Sequence, residues 1–438
     1  MLKIAFIAMS GVRVSNPRLA SLGLTLPGFI ERAEVIASLP SLGLLTLAAY
    51  TPAQHEVHYL ELPEYSDQMS LPGEFDVVAI SSFTAQILDA YRLADAYRKL
   101  GTLVVLGGLH VTACPMEAKV HADAIIVGEA ELCWERLLLD IQNACLKDVY
   151  SSKGQEFDLA TSRTPRYDLL DPGRYNRITV QTQRGCPYRC EFCASSIQLT
   201  EKYKSKPVDL VFRDIEAIKS VWRDPFIELA DDNSFANKKH ARLLVQAIAK
   251  QQIKWFTETD ISVADDHELI SMLADSGCRQ LLVGLESPPG QTLAGIETRA
   301  DWKAKRMDRY GEAIHRIQSH GISVNGCFVF GFDHHDHGIF DDTLDFVEES
   351  GLSEVQITLQ TPFPGTPLYH RLKKEERLLK EVFWDQCTLF DITFTPRKMT
   401  VQELETGFEN LMLALYSNER TSTRKRRFVK MRGQDLEI

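Results

Sequence analysis

Apolar residues in the first 145 positions fall into short blocks rather than long stripes. Ile4–Ala8, Val57–Leu60, Val77–Ser81, Leu103–Leu106 and Ala124–Val127 are nearly continuous runs of apolar or small residues. That is the pattern of strands buried on both faces. Between them, Leu42–Tyr50, Ala85–Lys99, Pro115–His121 and Leu132–Ile141 read as helices. The alternation predicts an α/β, doubly wound, Rossmann-like domain over residues 1–145, with a parallel sheet covered on both faces. Turn punctuation at Thr164–Asp168 and Asp171–Gly173 marks a linker over 146–173. A second series then begins. Its strands are Ile178–Gln181, Ile227–Ala230, Trp255–Thr257, Leu281–Gly284, Cys327–Phe330 and Val355–Leu359. Leu210–Val221, Lys239–Lys250, His267–Ser276, Tyr310–His320 and Phe340–Ser350 supply helices between them. Six β/α units predict a partial (β/α)6 barrel over 174–375. Residues 376–438 read as a small, mainly helical segment with the helix Val401–Tyr416 and a basic tail.

Composition narrows the class of protein. The chain has 438 residues, of which 44% are hydrophobic and 25% charged, as expected of two or three ordinary soluble domains. No apolar stretch approaches the ~20 residues of a transmembrane helix, and Met1–Ala8 lacks the basic leader and cleavage site of a secretory signal. Nine cysteines are too sparse for a disulfide scaffold; together these features point to the cytoplasm. A net charge of −11 argues against broad nucleic-acid binding. Against that trend, Arg420–Arg432 holds seven basic residues and no acidic one. It reads as a solvated, frayed tail or, alternatively, as a patch for anionic lipid or an acidic partner.

The strongest chemical signal is Cys186, Cys190 and Cys193, in the stretch Arg184-Gly-Cys-Pro-Tyr-Arg-Cys-Glu-Phe-Cys193. One short loop supplies three thiolates and no fourth. A cubane iron–sulfur cluster normally takes four cysteines, so three leave one iron open to a small molecule. A zinc site completed by a distant histidine and a set of free thiols are the alternatives. Zinc ligands usually come with a second Cys or His pair, and none is placed that way here.

Polar and small residues collect where the strands end, which is where ligands bind in parallel sheets. In the first series these are Ser81, Ser82 and Thr84, then Gly107, Gly108 and His110, then Gly128 and Glu129. Glycines there let a ligand approach the backbone, and a tight turn is the plainer reading. In the second series they are Asp231, Asp232, Glu258, Glu286 and Ser287, followed by Gly331–Asp333 and Pro362–Thr366. Carboxylates at these ends either receive an ammonium or ribose hydroxyls or cap the next helix. His334-His-Asp-His337 suggests a metal site, but neighbouring loop residues rarely aim at one ion.

Cys-x3-Cys-x2-Cys with an aromatic before the last cysteine resembles the signature of the radical S-adenosylmethionine (SAM) enzymes. The order of the two series resembles the subgroup in which a cobalamin-binding domain precedes the radical SAM domain, over residues 1 to 375. The resemblance implies a 4Fe-4S cluster on Cys186, Cys190 and Cys193, with SAM on its open iron. It also implies SAM contacts from Phe192, Asp231, Asp232, Glu258, Glu286 and Ser287, with Val283-Gly-Leu-Glu-Ser287 matching the fourth-strand pattern. Ser81, Ser82, Thr84, Gly107, Gly108, His110, Gly128 and Glu129 take the cobalamin places. One departure is plain: Ser10–Asn16 stands where relatives place the histidine under cobalt. The activity implied is methyl transfer to an unactivated carbon, using a 5′-deoxyadenosyl radical and methylcobalamin. A non-methylating cyclisation, ring contraction or rearrangement is the near alternative. A cobalamin or iron–sulfur sensor that leaves SAM intact is the alternative of another class. The implied partners are a small-molecule substrate and an external electron donor such as flavodoxin or ferredoxin. The tail beyond Glu375 is distantly similar to hopanoid-methylating and porphyrin-cyclising members, a hint of a large apolar substrate.

Overall fold

A strand apolar on both sides can satisfy its backbone only inside a sheet, and these strands do so in two sheets. In the computed structural model, residues 1–22, 35–36, 39–194, 202–289, 293–297 and 302–434 are described. The first sheet contains β1 (Lys3–Met9), β2 (Glu56–Leu62), β3 (Val77–Ser82), β4 (Leu103–Gly107), β5 (Ala124–Val127) and β6 (Val149–Ser151). Its order is β2-β1-β3-β4-β5-β6, with every pairing parallel. Successive residues of β1 go to opposite cores. Ala5 and Ile7 pack with Tyr91 and Tyr97. Ile4 and Phe6 pack with Trp134 and Leu137.

β6 lies inside the stretch read as a linker, and that reading is corrected. Val149–Ser151 pairs with β5, Phe157 and Leu159 enter the first unit's core, and Tyr167 and Leu170 enter the second's. The segment is packed along much of its length because its scattered aromatic and aliphatic residues find a core on either side.

The second sheet contains β7 (Ile178–Val180), β8 (Phe226–Leu229), β9 (Lys254–Thr259), β10 (Cys278–Glu286), β11 (Ser323–Phe330) and β12 (Glu354–Leu359). The strands follow one another in sequence order and are parallel throughout. Ile227, Leu229, Trp255, Leu281, Val283 and Ile357 face the helices and form the larger core. The alternate positions, including Glu228, Glu258, Asn325 and Cys327, lie on the inner face of the partial barrel. Cys327 is therefore only partly buried, unlike Cys278.

Residues 376–400 lie across both units. Phe383, Trp384 and Cys387 enter the first unit's core, whereas Phe390 and Met399 enter the barrel's. The helix Val401–Leu415 starts with a capping box between Thr400 and Glu403. Gly407 faces the Phe340 ring closely enough to exclude any side chain. Gly407→Ala should therefore cost about 1–3 kcal/mol by overpacking, despite alanine's higher helix propensity, and thermal unfolding of the variant measures it.

The basic tail is not frayed. Asn418–Gln434 is a helix. Arg424 is 6% exposed and donates to Leu415 O at 2.8 Å, Arg427 donates to Glu348 O at 2.7 Å, and Arg420 pairs with Glu348 at 2.5 Å. Arg424 and Arg427 thereby meet the carbonyl ends of helices, where cations are favoured. No helix of the described residues is long and apolar enough to cross a membrane.

Candidate cofactor sites at the strand ends

β7 delivers the cysteine loop, and Asp231 fixes the delivery. Its carboxylate accepts from Thr182 N and Gln183 N at 2.8 Å each, from Ser234 Oγ at 2.9 Å, and from Thr182 Oγ1. Burial pushes its pKa up to about 6 against the pull of those donors. With its oxygens so occupied, Asp231 is a bracket for the loop rather than the SAM contact its position suggested.

Beyond Gln183 the loop is tied down on several sides. Glu191 N donates to Ile296 O at 2.9 Å and Arg189 N to Glu297 Oε1 at 3.3 Å. Glu191 holds Arg371 through two bonds of 3.0 and 2.7 Å, and Arg371 also reaches Asp333 at 2.7 Å. Phe192 packs against Phe332 with ring centroids 5.8 Å apart. None of the nine cysteines is in a disulfide. Burial pushes the Cys186 thiol up to about 11 and the Cys190 thiol up to about 12, so an arriving metal must displace their protons. The three sulfurs do not form a set closed to within 4.8 Å. A single zinc would need such closure, with Zn–S bonds of about 2.3 Å.

The other strand-end residues divide by their partners. Asp232 is part-buried, and its charge acts on Cys186. Glu258 stands on the inner face, its side chain exposed to a lumen walled by protein; desolvation within those walls, then Glu228, Asp232 and Asp231, push its pKa up to about 8. Its neutral form is thus favoured near pH 7. The unfolded chain, ionising near the ordinary 4.5, releases this proton first, so stability attributable to Glu258 falls as pH rises from about 4.5 to about 8. Glu258→Gln should flatten that decline, as melting temperatures at pH 5 and pH 8 would show.

Glu286 is buried and is held by the largely buried Lys303. Its φ of +68° lies in the left-handed region, next to a register shift in β10. Strain of that kind is usually retained where a site requires it. Gly284 leaves the space: a Cβ there would lie 2.7 Å from Glu286 Oε1 and 3.1 Å from Lys303 Nζ. Burial works against the Lys303 charge, but Glu286 and Cys190 outweigh it and raise its pKa.

Ser287 is fully buried and lies 3.2 Å from His335 Nε2. Gly331 N donates to His335 Nδ1 at 3.3 Å. Burial lowers the His335 pKa to about 3, so the ring is neutral and carries its proton on Nε2. It donates to Ser287 Oγ, which leaves the serine hydroxyl hydrogen available to another acceptor. His337 instead faces Glu403 at 3.7 Å. The histidine run thus separates into different roles.

At the first sheet, Ser81 and Gly108 touch across adjacent strand ends: a Cβ on Gly108 would lie 2.8 Å from Ser81 Oγ, and φ there is +106°. Ser82 Oγ is buried without a hydrogen-bond partner, a donor left for a ligand beside the part-buried Thr84 and Gly107. Gly108→Ala should crowd Ser81 Oγ and strain the left-handed backbone, lowering stability by ~1–3 kcal/mol. Thermal unfolding of the variant checks this.

Two residues of that set point elsewhere. His110 is 1% exposed, 3.3 Å from Glu117 Oε1, and packed on Trp384 with centroids 5.3 Å apart. Its side chain belongs to the interface with residues 376–400. His110, Cys114 and Glu117 bring metal-ligating atoms within 4.8 Å of one another, but Trp384 Nε1 already donates to Glu117 at 3.1 Å. Glu129 gives its oxygens to Arg184 at 2.7 Å, Lys204 at 2.7 and 2.9 Å, and Phe157 N at 2.9 Å. Both had been placed among the cobalamin contacts, and these partners correct that placement. Where the cobalt-ligating histidine of relatives would stand, Asp391 accepts from Ser15 N at 2.9 Å and Asn16 N at 2.8 Å.

Comparison with known proteins agrees with this division. The B12 binding domain description matches residues 32–138 and the Radical SAM superfamily description residues 180–347. A domain of unknown function, DUF4070, matches residues 366–436. The bacteriochlorophyllide d C-8(2)-methyltransferase of Chlorobaculum tepidum is 30% identical over 365 residues, covering 79% of this chain and 78% of that protein. The hopanoid C-2 methylase of Rhodopseudomonas palustris is 23% identical, covering 80% and 67%. Among solved structures, the cobalamin-dependent SAM radical enzyme OxsB has a TM-score of 0.69 at 15% identity, covering 100% of this chain and 71% of that one. The radical SAM methyltransferase TsrM from Kitasatospora setae has a TM-score of 0.65 at 13% identity, covering 99% and 100%. A B12-binding domain, a radical SAM domain with its three-cysteine loop, and similarity along most of the chain place this protein in the family of cobalamin-binding radical SAM enzymes.

Proposed function

We propose that the chain is a cobalamin-dependent radical SAM methyltransferase acting on an unactivated carbon of a small molecule. The observation that carries this reading is the meeting of the two strand-end regions. Arg184, which leads into the cysteine loop, contacts Glu129 and Glu131 at the first sheet's strand ends. Groups bound at the two sheets would therefore share one neighbourhood.

The bound groups would supply reductive cleavage of SAM to a carbon-centred radical and a methyl group carried on cobalt. The protein's part is binding, orientation and exclusion of water. Cys186, Cys190 and Cys193 would hold the cluster. Asp232 would place negative charge near a sulfonium nucleoside, Glu286, paired with Lys303, would offer it acceptor oxygens, and Ser287 would offer it the hydrogen that His335 leaves available. Neutral Glu258 would present a hydroxyl donor on the inner face. Ser81, Ser82, Thr84, Gly107 and Gly108 would line the cobalamin cavity. Residues 376–400, anchored in both units by Phe383, Trp384 and Phe390, would shield the approach, and the relatives' names suggest a large apolar substrate. The setting we propose is the cytoplasm, with flavodoxin or ferredoxin as electron donor.

The test is anaerobic incubation of the reconstituted chain with dithionite, SAM labelled in its methyl group, and a small-molecule extract. Labelled product together with S-adenosylhomocysteine and 5′-deoxyadenosine is the expected result. Deoxyadenosine without methylated product would favour cyclisation, ring contraction or rearrangement. A chain that binds its cofactors and cleaves no SAM would favour a sensor.

A further inference from the structure

The cysteine loop is gripped from the first sheet at both of its ends. Gln183–Arg184 leads in and Lys204–Ser205 leads out, and the two form an antiparallel ribbon with Arg184 opposite Lys204. Both cations reach the loop after β5. Arg184 divides its guanidinium between Glu129 and Glu131, each at 2.7 Å, with Gln181 at 2.9 Å. Lys204 spans both oxygens of Glu129 and reaches Phe157 O at 2.9 Å. The side chains of Arg184, Glu129, Glu131 and Lys204 are 13%, 5%, 10% and 14% exposed. Phe157 lies under the Arg184 guanidinium at 5.7 Å. The backbone is fixed as well, because Glu129 N donates to Ser152 Oγ at 2.6 Å.

Two acids and two bases cancel in charge and are largely withdrawn from water. Buried ion pairs contribute little net stability compared with well-packed apolar groups, and their best-attested use is to fix register. Here the register in question is between two units. We propose that Glu129, Glu131, Arg184 and Lys204 form a clamp that sets the position of the cysteine loop relative to the first sheet's cofactor cavity. Glu131 and Arg184 are its positioning residues. The inference rests on the two-cofactor reading, because the clamp matters to chemistry only if both sites are filled. Reactions between held groups are sensitive to displacements of about 1 Å, so the clamp would keep radical formation and methyl delivery in step.

Glu131→Gln tests it in the full chain, with two measurements. Pulsed dipolar EPR between the reduced cluster and Co(II) cobalamin should give one narrow distance distribution in the parent protein and a broadened or shifted one in the variant. Iron and cobalamin content should be unchanged, and deoxyadenosine formation from SAM should change by less than about threefold. Hydrogen exchange on the cofactor-free chain should be faster by about tenfold at Gln183, Arg184, Lys204 and Ser205 in the variant, which corresponds to ~1.4 kcal/mol. Arg184→Lys retains the charge but loses the fork. It should show the same effects more weakly and serves if Glu131→Gln does not fold. Parent-like distances and parent-like exchange in these variants would overturn the clamp. A parent chain that takes up no cobalamin would overturn the methyltransferase reading, while the exchange measurement still decides the clamp.

Discussion

Cys190→Ala should reduce SAM cleavage to background. Cys190 is 8% exposed, and its loop is fixed on both sides, by the Arg184 cluster and by the Glu191–Arg371–Asp333 network. Among the described residues no other cysteine continues the motif, so a nearby substitute ligand is not at hand. With two thiolates the site no longer supplies the three ligands that leave a single iron open. Deoxyadenosine released per chain under dithionite measures the effect, and iron content separates loss of the cluster from loss of its reactivity. Cleavage at the parent rate would contradict the assignment of this loop.

Lys303→Met should have the second-largest effect. Lys303 meets Glu286 at a site where the two side chains are 13% and 8% exposed. Removing one partner of a buried pair costs about 3–5 kcal/mol, because the remaining charge is left without compensation. Glu286 is also held at a left-handed φ, so loss of its partner should release it from its place at the end of β10. We expect a lowered melting temperature, partly recovered in Lys303→Met with Glu286→Gln, since the double variant leaves no unpaired carboxylate. We also expect SAM binding to weaken in the single variant, as equilibrium dialysis can measure. A single variant as stable as the parent would show that the pair is not structurally important.

Sequence and structure part company according to the distance over which each feature is determined. Strands buried on both faces announce themselves locally, so β1 to β5 and β7 to β12 fall where the apolar blocks stand. The three residues of β6 carry too little pattern to show through a polar stretch. The cysteine loop is legible because its ligands lie within eight residues. Roles fixed by distant partners are not. Glu129 reads as a strand-end ligand, yet its partners stand 55 and 75 residues away. Asp231 reads as a ligand or cap, and donors 49 and 48 residues earlier make it a bracket. Lys303, Arg184 and His335 carry no local sign of their partners, although the histidine run had drawn attention to the last. The basic tail is half legible: Lys425, Arg426, Arg427, Lys430 and Arg432 are exposed as their charge suggests, but the tail is a helix, and Arg424 is buried against the distant Leu415 carbonyl.

Two cofactors bound by one chain are tested most directly by the absorbance spectrum and metal content of protein grown with cobalamin and purified without oxygen. The prediction is about four iron atoms with matching sulfide and one corrin per chain, with the iron chromophore lost and the corrin kept in Cys190→Ala. A purified chain that holds zinc in place of iron, or a cluster without corrin, would contradict it.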